Sequence, residues 1–108
     1  MKLPAHTIID SRKATEYLLK LRPEDDKSAF LALAGYTSEN AARLLVDLRT
    51  QILSVEAEEL GPFQYGTKFR IRGILTGPNG VALRIVSIWA TIEATGETRF
   101  VTLYADKP

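Results

Sequence analysis

A chain of 108 residues that is 45% hydrophobic and 25% charged has the composition of one globular domain rather than of a disordered segment. It holds no cysteine, which excludes disulfides, thiolate metal sites and a cysteine nucleophile, and its one histidine, His6, gives no His pair for zinc and weighs against a Ser-His-Asp triad. A net charge of +1 is low for a protein that holds nucleic acid by overall charge, so any such contact needs a local patch.

The first residues, Met1-Lys2-Leu3-Pro4, lack the apolar run of a signal peptide, and no stretch reaches the length of a membrane-spanning helix. The cytoplasm is the expected location. His6 to Ile9 reads as a short strand or an extended lead-in. Asp10 or Ser11 is a candidate N-cap, followed by Ala14, Tyr17, Leu18 and Leu21 as one helical stripe that Pro23 stops. A second short helix starts at Asp25 or Asp26 and carries Phe30, Leu31, Leu33 and Ala34. Gly35 is placed to end it in the left-handed conformation. The third helix is the clearest: Thr37 or Ser38 caps it, and Ala41, Leu44, Leu45, Leu48 and Ile52 recur at helical spacing. Glu39, Arg43 and Asp47 are expected on its outer face.

After Ser54 the period changes. Residues 55–60 read as helix tail or first strand, and Gly61-Pro62 reads as a turn. Thr67 to Leu75 alternates, Gly77-Pro78-Asn79-Gly80 is a hairpin connection, and Val81 to Glu93 is a long strand. Gly96 marks the next turn and Thr98 to Tyr104 the last strand. The fold class is therefore α+β: N-terminal helices packed on a C-terminal antiparallel β-meander of three to four strands. One domain is expected over residues 1–108, with a helical half at 10–54 and a sheet half at 55–105.

Such a two-layer domain leaves one sheet face open. In the long strand Val86, Ile88, Ala90 and Ile92 make the more aliphatic row, which is the better candidate for the helix-facing core. The opposite row then places Ser87 and Trp89 on the open face, with Thr102, Tyr104 and Arg70 or Arg72 from the neighbouring strands. An aromatic, hydroxyl and cationic surface of that kind can stack a base and hold a phosphate, which makes Ser87 and Trp89 substrate-binding candidates. The plainer alternative keeps Trp89 in the core and the Arg and Thr side chains on a solvated strand face.

Several segments together carry a family resemblance: Tyr17-Leu18-Leu19, Lys27-Ser28-Ala29-Phe30, Leu33-Ala34-Gly35-Tyr36-Thr37, Tyr65-Gly66, Leu75-Thr76-Gly77-Pro78-Asn79-Gly80, Trp89, and Arg99 to Tyr104. On these the chain resembles an uncharacterised bacterial domain-of-unknown-function family, found stand-alone and as C-terminal modules of large toxin-like proteins. Its layout also looks like the barnase–colicin–RelE class of ribonuclease toxins, an analogy of fold. The family pattern has a His-Pro-x-Gly segment before its lysine. Here Arg22-Pro23-Glu24-Asp25-Asp26 stands in that place, without the histidine, while Lys27 matches the lysine.

The resemblance implies RNA cleavage without metal or cofactor by Lys, Arg, Tyr and Ser or Thr side chains. The candidate catalytic set is Lys27, Arg70, Arg72, Thr102 and Tyr104: the guanidinium fork to clamp phosphate, the phenol to move a proton. Lys27 is read equally well as a solvated helix-start residue, and His6 as incidental. The acidic stretch at 24–26 is read as helix-start chemistry, that at 56–59 lacks the spacing of a calcium loop, and Thr76 to Gly80 lacks the lysine of a phosphate loop. Two functions stay open: a toxin-like ribonuclease of a toxin–antitoxin system, with RNA and a small antitoxin-like protein as partners, or a non-catalytic protein-interaction module.

Overall fold

The computed structural model describes residues 1–20 and 27–107. The expected helix stop at Pro23, the caps at Asp25 or Asp26, and Leu21 of the first stripe lie outside those residues. Four strands, β1 (Glu58–Phe63), β2 (Gly66–Thr76), β3 (Ala82–Ile92) and β4 (Thr98–Ala105), form one antiparallel sheet in the order β1-β2-β3-β4. Helical segments precede them, so the α+β meander stands as expected. Among the described residues no helix is long and apolar enough to cross a membrane.

The helical half begins with a π-helical segment, Lys13–Leu18, whose Ala14 and Leu18 are buried. Asp10 starts it: its carboxylate accepts the Arg12 amide at 3.0 Å. The short helix α1 (Lys27–Ala32) ends at Gly35, whose φ of +89° is the left-handed turn that a Cβ disfavours. A 3-10 turn (Ser38–Asn40), helix α2 (Ala41–Asp47) and a second π-helical segment (Leu48–Ile52) then follow without a break. Asn40 secures the start, accepting the Thr37 amide at 2.8 Å and donating to the Gly35 carbonyl at 2.9 Å. The stripe Ala41, Leu44, Leu48 and Ile52 packs into the core with Ile71, Leu75, Ile85 and Leu103 of the sheet.

Two local expectations are corrected. Gly61 and Pro62 do not turn the chain; they lie within β1, which bulges between Glu59 and Gly61. A proline fits there because β1 is an edge strand and needs no outward N–H. The turn comes at Gln64 and Tyr65. Asp47 is not on the outer face of its helix but 5% exposed, accepting hydrogen bonds from Tyr36 and Arg43.

The opposite edge of the sheet, on β4, is covered at its start. Ile8 bridges Arg99 in parallel, donating to the Thr98 carbonyl at 2.8 Å and accepting the Phe100 amide at 2.9 Å. The β2–β3 connection is also anchored. Asn79 Nδ2 donates to the Leu33 carbonyl at 3.1 Å, and its amide to the Ala34 carbonyl at 3.3 Å. A Cβ at Gly77 would collide with the Ala34 carbonyl oxygen and methyl group. Gly77→Ala is therefore expected to cost about 1–3 kcal/mol as the loop is forced off the turn that follows α1, read as a fall in the denaturation midpoint at unchanged slope.

Candidate functional site

Register decides which side chains share a face, because alternate residues of a strand point to opposite sides. Phe69, Ile71 and Leu75 stand opposite Trp89, Ser87 and Leu83, and all six are buried under the helical half. The other parity makes the open face. Across it runs one row of Glu58, Arg70, Ile88 and Thr102, and beside it a second row of Arg72, Val86 and Tyr104. Ile74 opposite Arg84 continues the face in one direction, and Lys68, Ala90 and Arg99 in the other.

The plainer alternative for Trp89 is the one found, and the substrate-binding expectation for Ser87 and Trp89 is corrected. They lie in the core, not on the open face: Trp89 is 0% exposed and stacks edge-on against Phe100 at 5.1 Å. The reason is internal satisfaction of their polar atoms. The indole N–H donates to Ser87 Oγ at 2.8 Å, and that hydroxyl donates to the Ile71 carbonyl at 2.9 Å. The row expected in the core, Val86, Ile88 and Ala90, belongs to the open face. In β4 a bulge between the partners of Ile88 and Trp89 adds Val101 to the strand. Phe100 and Leu103 therefore both face inward, while Thr102 and Tyr104 face outward.

Four of the five catalytic candidates, Arg70, Arg72, Thr102 and Tyr104, thus share the open face. Their surroundings differ. Arg70 is bound to Glu58 by two hydrogen bonds, at 2.7 and 3.3 Å. That contact holds the Glu58 carboxyl below its ordinary range and the Arg70 guanidinium above its own. Arg72 has no side-chain hydrogen bond or ion pair among the described residues. Tyr104 is 43% exposed, and between these two Val86 is only 3% exposed. An arginine with no direct ion pair among the described residues, though within the electrostatic reach of Glu58, and an outward phenol therefore flank one covered valine.

Thr102 connects this face to the helical half. Its Oγ1 lies 2.9 Å from the Tyr17 hydroxyl. The Tyr17 ring in turn carries two ammonium groups, Lys13 at 5.2 Å and Lys27 at 5.9 Å from its centroid. Lys13 also donates to the carbonyl of the bulged residue Val101 at 3.1 Å. Lys27, the fifth candidate, therefore reaches the Thr102 end of the site through Tyr17. Sequence reasoning missed Tyr17, reading it as one residue of an apolar stripe. Its hydroxyl was the available signal, but its partner lies 85 positions away. His6 is exposed and stands apart from these residues, beside Thr95 to Thr98.

The arrangement can clamp an anion with Arg72, hydrogen-bond it with Tyr104 and Thr102, and shuttle a proton through a phenol. The comparisons with known proteins bear on the fold and the family. A chain of a solved structure described as a contact-dependent growth inhibition toxin–immunity protein complex from Klebsiella pneumoniae 342 is similar, with a TM-score of 0.63 and 19% identity. The match covers 93% of this chain and 100% of that one. At that identity the likeness is one of fold. No curated protein matches. The model of one family matches residues 2–107, nearly the whole length, and the chain belongs to that family, the domain of unknown function DUF6883.

Proposed function

We propose that this chain is a toxin-like domain that cleaves RNA on its open sheet face without a metal ion. One observation carries the reading: Arg72, which makes no direct ion pair among the described residues, and the exposed Tyr104 flank Val86, next to the row that holds Arg70 and Thr102. In this reading Arg72 clamps the phosphate and stabilises the charge that grows on it. Tyr104 exchanges a proton with the attacking or leaving oxygen. Arg70, already engaged by Glu58, and Thr102, held by Tyr17, orient the strand, and Lys27 adds positive charge behind Tyr17. The fold shared with a chain of a toxin–immunity complex supports the toxin-like part. It also supports a small neutralising protein as natural partner, and the cytoplasm of a bacterial cell is where we place the action.

A second reading has its own observation. The outer edge of β1 pairs with no other strand among the described residues, and Leu60 and Tyr65 are exposed beside it. An edge of that kind binds a partner by strand addition, as a non-catalytic interaction module does.

Induced expression in a bacterial host separates the two. The wild type is expected to arrest growth and fragment total RNA, while Arg72→Ala and Tyr104→Phe accumulate as folded protein and do neither. With purified protein, Arg72→Ala is expected to lower the cleavage rate at least about a hundredfold, as for removal of a charge-stabilising donor. Normal growth and intact RNA at high soluble expression of the wild type would remove the nuclease reading and leave the interaction module.

A further inference from the structure

The open face continues past the Arg72–Tyr104 row into a groove of about 620 Å³, lined by Arg72, Gly73, Ile74, Arg84, Asp106 and Lys107. It forms where β2 and β3 run beyond the last full pairing of β4. There the Asp106 amide donates to the Arg84 carbonyl at 2.8 Å and holds the outgoing chain against the sheet. Arg84 stands opposite Ile74, one step along the face from Val86, and is therefore a diagonal neighbour of Arg72. Diagonal pairs have backbones roughly 7–8 Å apart, within reach of long side chains. Arg84 and Lys107 are exposed, and neither makes a side-chain hydrogen bond or ion pair among the described residues. Three cations thus border the groove against one carboxylate, Asp106.

We propose that this groove is a second phosphate subsite, in which Arg84 and Lys107 hold a phosphate of a single-stranded RNA next to the one clamped by Arg72. The inference rests on the RNA reading above and deepens it, since it makes the preferred substrate an oligonucleotide and not an isolated dinucleotide. A single strand is the form whose backbone can follow such a cationic channel, and Ile74, at 58% exposure, offers an apolar surface beside it. Neither Arg84 nor Lys107 belongs to the proposed chemistry, so their loss changes binding of the longer ligand and not the reaction at Arg72.

Fluorescence anisotropy with a 2′-O-methyl hexanucleotide, which cannot be cleaved through its 2′ oxygen, and with the matching dinucleotide tests this. Arg84→Ala and Lys107→Ala are each expected to weaken hexanucleotide binding about tenfold, the worth of a charge-assisted hydrogen bond. Each should also reduce the slope of log affinity against log salt by about 0.7. Dinucleotide binding stays unchanged, and Arg84→Lys restores the slope. Unchanged hexanucleotide affinity and slope, or an equal loss for the dinucleotide, would overturn the subsite. Arg84-dependent binding by a wild type that cleaves no RNA keeps the subsite and removes the nuclease reading. A wild type that cleaves RNA with no Arg84 dependence does the reverse, and one that binds no hexanucleotide removes both.

Discussion

Trp89→Ala is expected to lose about 3–5 kcal/mol, the cost of emptying a large aromatic site in a core. A domain of this size has a total stability of roughly 5–15 kcal/mol, so much of the protein would unfold at physiological temperature. The site cannot collapse easily, because Phe100 packs on one side of the indole and the Ser87–Ile71 hydrogen bond fixes the backbone beside it. Ser87→Ala separates polarity from volume. It strands the indole N–H without its acceptor and should cost about 1–3 kcal/mol. Trp89 is the only tryptophan, so its emission reports the Ser87→Ala transition directly, while Trp89→Ala is followed by circular dichroism. The RNA cleavage proposed for the open face is expected, per folded molecule, to survive Ser87→Ala. A fully stable Trp89→Ala protein that fails to bind RNA would instead return the indole to the binding surface.

That result would also test why the face assignment is hard to read from sequence. The row Leu83, Ile85, Ser87, Trp89, Thr91 begins as plainly apolar as its rival, and Ser87 and Thr91 argue against burial. The carbonyl that satisfies Ser87 belongs to Ile71, 16 positions away, and comes within reach only once the strands are in register. The bulge at Val101 is equally silent, since one extra residue reverses the facing of everything beyond it. Local signals did better. The stripe Ala41, Leu44, Leu48 and Ile52, with Leu45 partly buried beside it, the stop at Gly35 and the Asn79-Gly80 connection are written in neighbouring residues and are found. Alternation groups Arg70 with Arg72 and Thr102 with Tyr104 within their strands, and the register puts the two pairs on one face. Alternation does not give their differences, because Glu58 on Arg70 and Tyr17 on Thr102 are contacts between distant segments.

Tyr36→Ala should be the other severe lesion, again about 3–5 kcal/mol for the lost ring, and here the polar end adds a second loss. The buried Tyr36 hydroxyl donates to Asp47 at 2.6 Å, with the Thr76 carbonyl 3.3 Å away, so one side chain ties α2 to the end of β2. Removing it leaves Asp47 a buried carboxylate whose remaining side-chain partner among the described residues is the half-exposed Arg43. Tyr36→Phe isolates the hydrogen bond, worth about 1.5–3 kcal/mol because its acceptor is charged. The same hydroxyl gives a pH signature. Burial first, and then the bond to Asp47, hold its pKa well above the ordinary 10.0. A group whose folded pKa is raised contributes stability that is complete below its unfolded pKa, near 10, and is lost as pH rises beyond it, because the unfolded chain then releases a proton the folded one keeps. The stability gap between wild type and Tyr36→Phe should therefore be constant from neutral pH to about 9 and narrow above about 10. A gap that widens in alkali, or that is absent at neutral pH, would mean that the hydroxyl does not bind Asp47 in the folded protein.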